Sequence, residues 1–398
     1  MAGSMPFGRQ GKVNAGARMK VVHICLSNIF VDGYSYQENE LVREHVRSGH
    51  DVVVLCSTET YSEKGKFEYI APGEYAGVEG ARVIRLPYVS WLPQGIARKV
   101  RAHPGVRRIL EQIQPDAILF HGTCGWAVST VARYLRANER VLAYIDSHTD
   151  GYNSAKSAIS RVILHGLFYK AIIKYSISAY RKVLCVSTEV MDFAEKIHGI
   201  DPLRLELFPL GGQVLDDLDY AVRRKRVREF YDVGCEDVLF VLTGRLSRRK
   251  RLRWGLEAFA SNRDPRFKLL IAGVIDEDVR DEVSHLLGAD SRVRYVGWCD
   301  SESLTDLLCA ADIYFQPGTQ SATMQHSLCC RCAVLLFDYP SHRTYFRCNG
   351  WLFADDEGLR RAMAEASFAD LKGMSDSSLE VARELLDYRS LAKRVLRE

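Results

Sequence analysis

Residues 238–251 read VLFVLTGRLSRRKR. The first six residues are apolar or β-branched, which is typical of a strand buried on both faces of a parallel sheet. Gly244 ends this run, five of the next seven residues are basic, and a helical pattern containing Leu256 and Phe259 follows. A cationic loop at the start of a helix combines fixed charge with unpaired backbone N–H groups, so it suits a bound diphosphate. An ordinary solvated basic loop fits the same residues.

The alternation of short apolar runs and helical patterns extends in both directions from this stretch. Strand–helix–strand order predicts right-handed parallel βαβ units, and a basic helix is expected over about 95–113. The alternation of strand and helix patterns stops at Phe208–Gly212, where proline and glycine interrupt it, and then starts again. Strands are predicted at 20–26, 51–56, 82–86, 116–121, 141–145, 182–187, 238–243, 268–273, 294–297, 313–316 and 334–338.

A length of 398 residues suits two domains of similar size. We therefore predict an α/β protein with two Rossmann-like parallel-sheet domains, at 19–210 and 211–375. Residues 1–18 lack the apolar core of a signal peptide and are interpreted as a disordered leader. The last helix, at 376–398, fits either domain.

Composition excludes several classes of protein. A net charge of +4 is small for a dedicated nucleic-acid binder. Eleven scattered cysteines suit reduced thiols in a cytosolic protein better than a disulfide framework. The segment Cys329–Cys332 lacks the usual zinc spacing, and no GxGxxG motif supports a dinucleotide. We expect no metal and no cofactor, and no apolar run approaches the length of a membrane-spanning helix.

Two further polar segments follow predicted strands, where ligands of open parallel sheets bind. The first is Gln316–Thr323, in which Gly318 permits close backbone approach and Ser321 suits a helix N-cap; a phosphate, a sugar or simply a capped turn fits this segment. The second is Asp146–Asp150, whose His148 is placed to touch a sugar hydroxyl. His121 occupies a similar place one strand earlier, although a structural histidine fits both positions.

Taken in order, these segments resemble glycosyltransferase family 4, whose members have the GT-B fold. The resemblance covers about residues 20–355, and its ordered set of short motifs is more specific than any one of them. The Pro317–Ser321 segment resembles a variant found in bacterial polysaccharide-assembly members. The matching segments are Gly49–Val52, the His148 segment, Val186–Ser187, Pro209–Gly211, Gly244–Lys250, Leu270–Gly273, Val296–Gly297 and Ala310–Asp312 leading into Pro317–Gly318.

The resemblance implies two Rossmann-like domains facing across a cleft, with the last helix crossing back to the first domain. It also implies metal-independent, retaining transfer of a sugar from a nucleoside-diphosphate sugar. Arg245 and Lys250 match the cations that stabilise the leaving diphosphate, and His148 matches the histidine beside the donor sugar; these three residues are the predicted catalytic set. The predicted donor-binding residues are Gly33, Gly244, Gly318, Thr319, Gln320, Ser321, Gln325 and His326, and the predicted acceptor-side residues are His121, Asp150 and Asn153.

The chain departs from the family in one important respect. The family usually carries two glutamates separated by seven residues, but no glutamate lies between Ser303 and Asp338. His326, beside Gln325, aligns with the second glutamate, and either side chain can hydrogen-bond ribose hydroxyls. This departure keeps open a non-catalytic nucleotide- or carbohydrate-binding homologue. A GT-B epimerase is a further alternative, whereas a phosphorylase would need a cofactor lysine motif that the sequence does not show.

The acceptor is expected on the N-terminal domain, as the GT-B fold implies. Segments 91–108 and 157–182 are basic and aromatic, which suits contact with an anionic membrane that presents a lipid-linked acceptor. An amphipathic helix with its basic face in water fits each segment as well. We predict a cytoplasmic enzyme of polysaccharide synthesis, peripheral at the inner face of the plasma membrane, with a glycan or lipid-linked acceptor.

Overall fold

The computed structural model describes residues 18–62, 65–149, 160–319 and 321–397, without the side chains of residues 160–163. The chain divides into two compact units. The first unit consists of Met1–Ser147, Ser157–Val183 and Ala392–Glu398, and the second of His148–Lys156 and Leu184–Leu391. Each unit is built on a largely parallel sheet with helices, so the predicted α/β class is confirmed. The domain boundaries expected from the sequence remain predictions.

The sheet of the first unit is parallel through its centre, with the order β6-β2-β1-β7-β8. Its strands and the short antiparallel ones beside them are β1 (Lys20–Cys25), β2 (Asp51–Ser57), β3 (Glu59–Tyr61), β4 (Phe67–Tyr69), β5 (Gly73–Ala76), β6 (Arg82–Leu86), β7 (Ala117–Phe120) and β8 (Leu142–Ser147). β5 pairs antiparallel with β6, and β3 pairs antiparallel with β4. The helices are α1 (Gln37–Arg47), α2 (Gln94–Val100), α3 (Val106–Ile113), α4 (Trp126–Ala137) and α5 (Lys170–Ser176), which follows a π-helical segment at Ser160–Tyr169.

The second unit contains a six-stranded parallel sheet with the order β13-β12-β11-β14-β15-β16. The strands of this sheet are β11 (Val238–Thr243), β12 (Phe267–Ala272), β13 (Val293–Gly297), β14 (Ile313–Gln316), β15 (Ala333–Phe337) and β16 (Gly350–Phe353). Two short strands that are not part of it, β9 (Val183–Cys185) and β10 (Leu205–Leu207), precede it along the sequence. Its helices are α6 (Thr188–Lys196), α7 (Asp217–Phe230), α8 (Leu252–Ser261), α9 (Glu277–Leu287), α10 (Ser301–Ala310), α11 (Ala322–Cys329), α12 (Pro340–Arg343), α13 (Asp356–Ala366), α14 (Leu371–Val381) and α15 (Tyr388–Leu396), the last of which continues into the first unit.

All six side chains of β11 are buried, because the strand lies in the middle of the sheet with a core on each face. Leu239 and Val241 pack into one core, and Phe240 and Leu242 pack into the other. This alternation follows from the two-residue period of a strand. The apolar run that opens the quoted stretch is therefore a central strand, as predicted.

The strand order of the second sheet determines where a ligand would bind. From β11 the chain adds β12 and β13 on one side, and then crosses to place β14, β15 and β16 on the other. The order is that of the doubly wound nucleotide-binding folds, in which ligands bind beyond the carboxyl ends of strands at the point where the order reverses. That point lies between the ends of β11 and β14.

Three predictions of secondary structure need correction. The basic helix expected over 95–113 is two helices, α2 and α3, because Arg101 adopts a left-handed conformation and Pro104 follows it. The last helix expected over 376–398 is broken: α14 passes through a π-helical turn, and Asp387, which is extended, separates that turn from α15. The short strands β3, β4, β5, β10 and β16 were not predicted from the sequence.

Asp312 connects helix α7 to the start of the second sheet. Its carboxylate pairs with Arg224, lies 2.9 Å from an Arg228 nitrogen and accepts a 2.8 Å hydrogen bond from the backbone N–H of Leu239. Arg224 also donates to the carbonyls of Ala310 and neighbouring residues, at 2.9 Å for Ala310. One half-buried carboxylate thus fixes α7 against two strands.

We expect Asp312→Ala to lower the free energy of unfolding by about 3 kcal/mol, because it leaves two arginines partly buried without their carboxylate. Urea unfolding followed by circular dichroism measures the change. Asp376→Ala is the control, since Asp376 pairs with Lys372 on an exposed helix face and the loss of such an exposed pair should leave the unfolding midpoint unchanged. Equal effects of the two substitutions would contradict the role given to Asp312.

Candidate functional site

A pocket of about 480 Å³ opens at the carboxyl edge of the second sheet. It lies at the edge predicted for ligands by the strand order, and its walls come from the segments that follow β11, β12 and β13 and from the first turn of α11. The lining residues are Gly244, Arg245, Ala272, Gly273, Val274, Asp276, Trp298, Cys299, Leu304 and Thr323.

Two glycines allow the ends of β11 and β12 to meet below this pocket. Gly273 has a φ of +131°, and a Cβ atom there would lie 1.9 Å from the carbonyl oxygen of Gly244. The N–H of Gly244 donates to Ala272 at 3.1 Å, and that of Gly273 donates to Gly297 at 2.7 Å. The floor of the pocket is therefore formed by backbone, which lets a ligand approach the strand ends closely.

Arg245 lies at the rim of the pocket with 81% of its side chain exposed. Its Nε donates to both carboxylate oxygens of Asp276, at 2.8 and 3.1 Å, and this hydrogen bonding raises the pKa of Arg245. The two terminal nitrogens make no hydrogen bond to any residue that the structure describes. Asp276 therefore orients the guanidinium while leaving its terminal N–H groups available to an anion.

Lys250 is buried, and its Nζ donates a 2.7 Å hydrogen bond to the carbonyl oxygen of Thr319. Burial lowers the pKa of Lys250 to about 7. Gly318 makes this packing possible, since a Cβ atom there would lie 2.0 Å from the carbonyl oxygen of Arg249 and 2.6 Å from Lys250 Cα. The basic loop after β11 and the loop after β14 are thus in direct backbone contact.

The hydroxyl of Tyr314 organises the start of α11. It donates to Gln316 Oε1 at 3.0 Å and lies 3.1 Å from Ser321 Oγ and 2.9 Å from Thr323 Oγ1. Ser321 occupies the N-cap position, as predicted, but its side chain makes no capping hydrogen bond. Tyr314 and Thr323 were not singled out from the sequence, because a tyrosine inside an apolar strand is usually a core residue.

Gln325 and His326 do not line the pocket. Gln325 is fully buried, and its Oε1 accepts a hydrogen bond from the N–H of Gly211 at 3.1 Å. His326 Nε2 lies 3.4 Å from Thr305 Oγ1, and burial lowers the pKa of His326 to about 4. Both side chains are neutral near pH 7, and their role at a ribose remains a prediction.

The second unit holds further buried polar atoms that the sequence did not indicate. Glu189 Oε1, Ser341 Oγ and His342 Nε2 have no hydrogen-bond partner in the described parts of the chain. They belong to α6 and α12, which pack together. His342 Nδ1 lies 2.7 Å from the carbonyl oxygen of Phe337, and burial, with a further contribution from Lys250, lowers the pKa of His342 to about 4. His342 is therefore a neutral group in the electrostatic field of Lys250.

Two predicted residues of the first unit, Gly33 and His121, are already engaged by neighbouring side chains. Gly33 has a φ of +80°, and its N–H donates to Glu79 Oε1 at 3.1 Å. His121 is buried at the end of β7, with Nδ1 2.5 Å from Asp146 Oδ2. His148, which belongs to the second unit, follows β8 and is half-buried. Three other predicted residues, Asp150, Asn153 and Gln320, lie outside the described residues.

The structure therefore brings together part of the predicted set. At one edge of the second sheet it places the residues Gly244, Arg245, Lys250, Gly318, Thr319 and Ser321. It adds two residues outside the predicted set: Asp276, and Trp298, which lines the pocket with 73% of its surface exposed. The position of both residues just after strands β12 and β13 is the signal that could have identified them.

Two family models match the sequence. A glycosyl transferase 4-like domain covers residues 33–211, and the glycosyl transferases group 1 model covers residues 237–367. The chain carries two glycosyltransferase domains. A search of the curated proteins finds no match.

Solved structures of the same fold cover nearly the whole glycosyltransferase chain. Sucrose-phosphate synthase from Thermosynechococcus elongatus is 17% identical, with a TM-score of 0.63 over 96% of this chain and 98% of that chain. The Anabaena protein HepE, in complex with UDP and glucose, is 13% identical, with a TM-score of 0.60 over 96% and 99%. WaaG, described as a glycosyltransferase involved in lipopolysaccharide biosynthesis, is 16% identical, with a TM-score of 0.57 over 94% and 98%. The predicted GT-B fold class is confirmed.

We expect Gly318→Ala to weaken binding of a nucleoside diphosphate at least about tenfold, because the new methyl group displaces the Lys250 loop. Calorimetric titration with UDP, GDP and ADP measures the affinity. Gly288→Ala is the matched control, since a Cβ atom at Gly288 meets nothing within 4 Å. Wild-type affinity in Gly318→Ala would show that the contact between the two loops does not shape the site.

Binding of a diphosphate should also take up protons. With a pKa of about 7, Lys250 is about half charged at pH 7, and a bound anion raises that pKa. We expect uptake of about 0.5 proton at pH 7, less below pH 6, and affinity that falls as the pH rises above 7. Calorimetry in buffers of different ionisation enthalpy measures the uptake, which Lys250→Met should abolish. Equal uptake in that variant would assign the proton to another group.

Proposed function

We propose that this glycosyltransferase is a retaining, metal-independent enzyme that transfers a sugar from a nucleoside-diphosphate sugar to a glycan or lipid-linked acceptor. The observation that carries the proposal is the placement of Arg245 in the lining of a glycine-floored pocket at the carboxyl edge of the second sheet, on the same loop as Lys250, which packs against the loop after β14. This is where a doubly wound sheet binds nucleotides. HepE, which is similar in fold, is described in complex with UDP and glucose.

The nucleoside is assigned to the pocket itself. Ala272, Val274 and Leu304 give it apolar walls, and the exposed indole of Trp298 provides a flat surface at its edge. A planar base suits such a slot, and the diphosphate would then extend toward Arg245 and the first turn of α11. Thr323 is the hydroxyl of α11 that lines the pocket.

The two cations carry the proposed catalysis. The bond between the anomeric carbon and the diphosphate oxygen breaks, and negative charge grows on the leaving diphosphate. Arg245 meets this charge with its terminal N–H groups, and Lys250 becomes fully protonated as the anion enters its environment. The acceptor hydroxyl attacks from the face that the diphosphate leaves and transfers its proton to a diphosphate oxygen, so the anomeric configuration is retained. Fixed cations in these positions stabilise the charge that a metal ion stabilises in other transferases. His148 would position the sugar.

The acceptor side is assigned to the first unit. Trp91 is 76% exposed and is followed by Lys99 on α2, while Leu167, Lys174 and Tyr175 are exposed near α5. Exposed aromatic and basic side chains suit the interface of an anionic membrane that presents a lipid-linked acceptor. The described helices include none that is long and apolar enough to cross a bilayer. The proposal therefore places the enzyme at the inner face of the plasma membrane, in polysaccharide synthesis like that described for WaaG.

A screen of nucleotides and their sugar conjugates tests the donor. A ligand at about 100 times its dissociation constant adds roughly 2.7 kcal/mol of stability, which raises the melting temperature measurably. Incubation of the stabilising donor without acceptor then separates the alternatives. Slow hydrolysis to the retained anomer in the presence of EDTA supports the proposal. An epimerised nucleotide sugar supports the epimerase, and binding without any turnover supports the non-catalytic homologue.

We expect Arg245→Ala and Lys250→Ala each to lower turnover by roughly 10²–10³-fold, as for loss of one group that stabilises a transition-state charge. Arg253→Ala is the control, because Arg253 pairs with Glu257 on the exposed face of α8 and does not line the pocket. Donor hydrolysis followed by anion-exchange chromatography measures the rates. An unchanged rate in either site variant would remove that residue from the mechanism.

A further inference from the structure

A continuous chain of four buried hydrogen-bond contacts crosses the first unit. Asp146 Oδ2 lies 2.5 Å from His121 Nδ1, and His121 Nε2 lies 3.0 Å from His23 Nδ1. His23 Nε2 lies 2.9 Å from His45 Nδ1, and His45 Nε2 lies 3.0 Å from the carbonyl oxygen of Ala392. The four residues are at most 1% exposed. The chain thus joins the carboxyl ends of β7 and β8, through β1 and α1, to helix α15.

The number of protons in this chain of hydrogen bonds follows from the groups at its two ends. An ionised Asp146 and the carbonyl of Ala392 both accept hydrogen bonds, so the hydrogen-bond chain has an acceptor at each end. Four contacts need four protons, whereas three neutral imidazoles carry only three. With three protons, one buried contact would bring two acceptors together, at the cost of an unsatisfied polar group. A closed chain therefore holds one proton more than neutral histidines supply.

The neighbouring charges indicate where the additional proton resides. Burial lowers the pKa of His23 far below its ordinary value, with further contributions from His45 and His121, and burial lowers the pKa of His45 to about 4. His121 is the imidazole in direct contact with the Asp146 carboxylate. An imidazolium at His121 then donates to Asp146 and to His23, His23 donates to His45, and His45 donates to Ala392.

We infer that Asp146, His121, His23 and His45 form a buried proton store, in which an imidazolium at His121 supplies the proton that keeps Ala392, in the middle of α15, bound to α1. Loss of that proton leaves His45 facing Ala392 without a hydrogen, because the carboxylate is the stronger acceptor and retains the proton nearest to it. Asp146 Oδ1 also accepts the N–H of Gly122 at 2.7 Å. The store therefore couples the loop after β7, which begins at the predicted acceptor residue His121, to the C-terminal helix.

Among the described residues, few other ionisable groups lie near this chain of hydrogen bonds. The His50 ring on the β2 side lies 6.0 Å from the His45 ring, and Cys25 on β1 is in the field of Asp146. Helix α15 contributes Lys393, which is exposed, and Arg394, which is half-buried, while Arg397 donates to Tyr144 on β8. The Asp146 carboxylate is the one group of opposite charge in contact with these three histidines in the described residues.

The protonation pattern is directly measurable in the full-length protein. Long-range ¹⁵N–¹H correlation spectra of histidine-labelled protein at pH 6.5 should show both nitrogens of His121 protonated, and His23 and His45 protonated only at Nε2. Substitution of each histidine by glutamine in turn assigns the signals. A neutral His121, or a His45 protonated only at Nδ1, would overturn the inference.

The dependence of stability on pH provides the functional test. The folded state holds one proton that an unfolded histidine releases above about pH 6.5, so stability falls as the pH rises above that value. The unfolding constant should rise about tenfold per pH unit across this alkaline range. Amide-exchange protection of residues 392–396 should fall over the same range. Below pH 6.5 stability also falls, because the low pKa values of His23 and His45 oppose protonation in the folded state.

Asp146→Asn distinguishes a proton store from a structural contact. The asparagine amide can donate to His121 Nδ1 while its carbonyl still accepts from Gly122, so four contacts close with three neutral imidazoles. We expect this variant to keep the acid dependence and the protection of α15 but to lose the alkaline dependence. His103→Gln is the control: His103 is a buried histidine with a low pKa whose Nδ1 lies 3.0 Å from Pro87 O, and its loss should alter only the acid dependence. Retention of the alkaline dependence in Asp146→Asn, or loss of α15 protection at every pH, would refute the store.

Discussion

The second unit depends on two contacts between backbone segments that leave no room for a side chain. A Cβ atom at Gly273 would lie 1.9 Å from the Gly244 carbonyl, and one at Gly318 would lie 2.0 Å from the Arg249 carbonyl. Such contacts are far inside the normal separation of 3.5–4.0 Å. Because rotation of a side chain cannot relieve a clash with backbone, these two glycines fix the loops that carry Arg245 and Lys250 against the sheet.

The buried parallel strands could be predicted almost residue by residue, for a physical reason. A strand covered on both faces must be apolar throughout, and Val238–Thr243 and Ile313–Gln316 have the bounds that were predicted. The antiparallel additions lack this signal: β4 is largely exposed, and β5 contains a glutamate and a glycine. Pro104 indicates a break between α2 and α3. The basic residues on both sides of it nevertheless led to the prediction of a single helix.

The location of the candidate site could be predicted from the sequence, but the directions of its side chains could not. The position of a loop after a strand is a property of the chain order, so the loops at Gly244 and Gly318 were predictable. The side-chain direction on a helix rotates by about 100° per residue, so two side chains that are two residues apart point to nearly opposite faces. Thr323 consequently lines the pocket, whereas Gln325 turns toward Gly211. The sequence does not show that the helix starts at Ala322, so it does not determine whether Thr323 or Gln325 points toward a ligand.

The two glutamates that the resemblance to family 4 implies are not present in α11, and this difference concerns the balance of charge at the helix as well as a contact. Gln325 is fixed by a backbone N–H, His326 is neutral, and α11 carries no carboxylate in any of its residues. A neutral acceptor makes a hydrogen bond roughly half as strong as a carboxylate does, so ribose hydroxyls would be held less firmly. A diphosphate at the same helix end, however, would meet Arg245, Lys250 and the helix dipole without an opposing negative charge from α11. Selection of the donor in this chain would therefore rest more on its diphosphate than on its ribose.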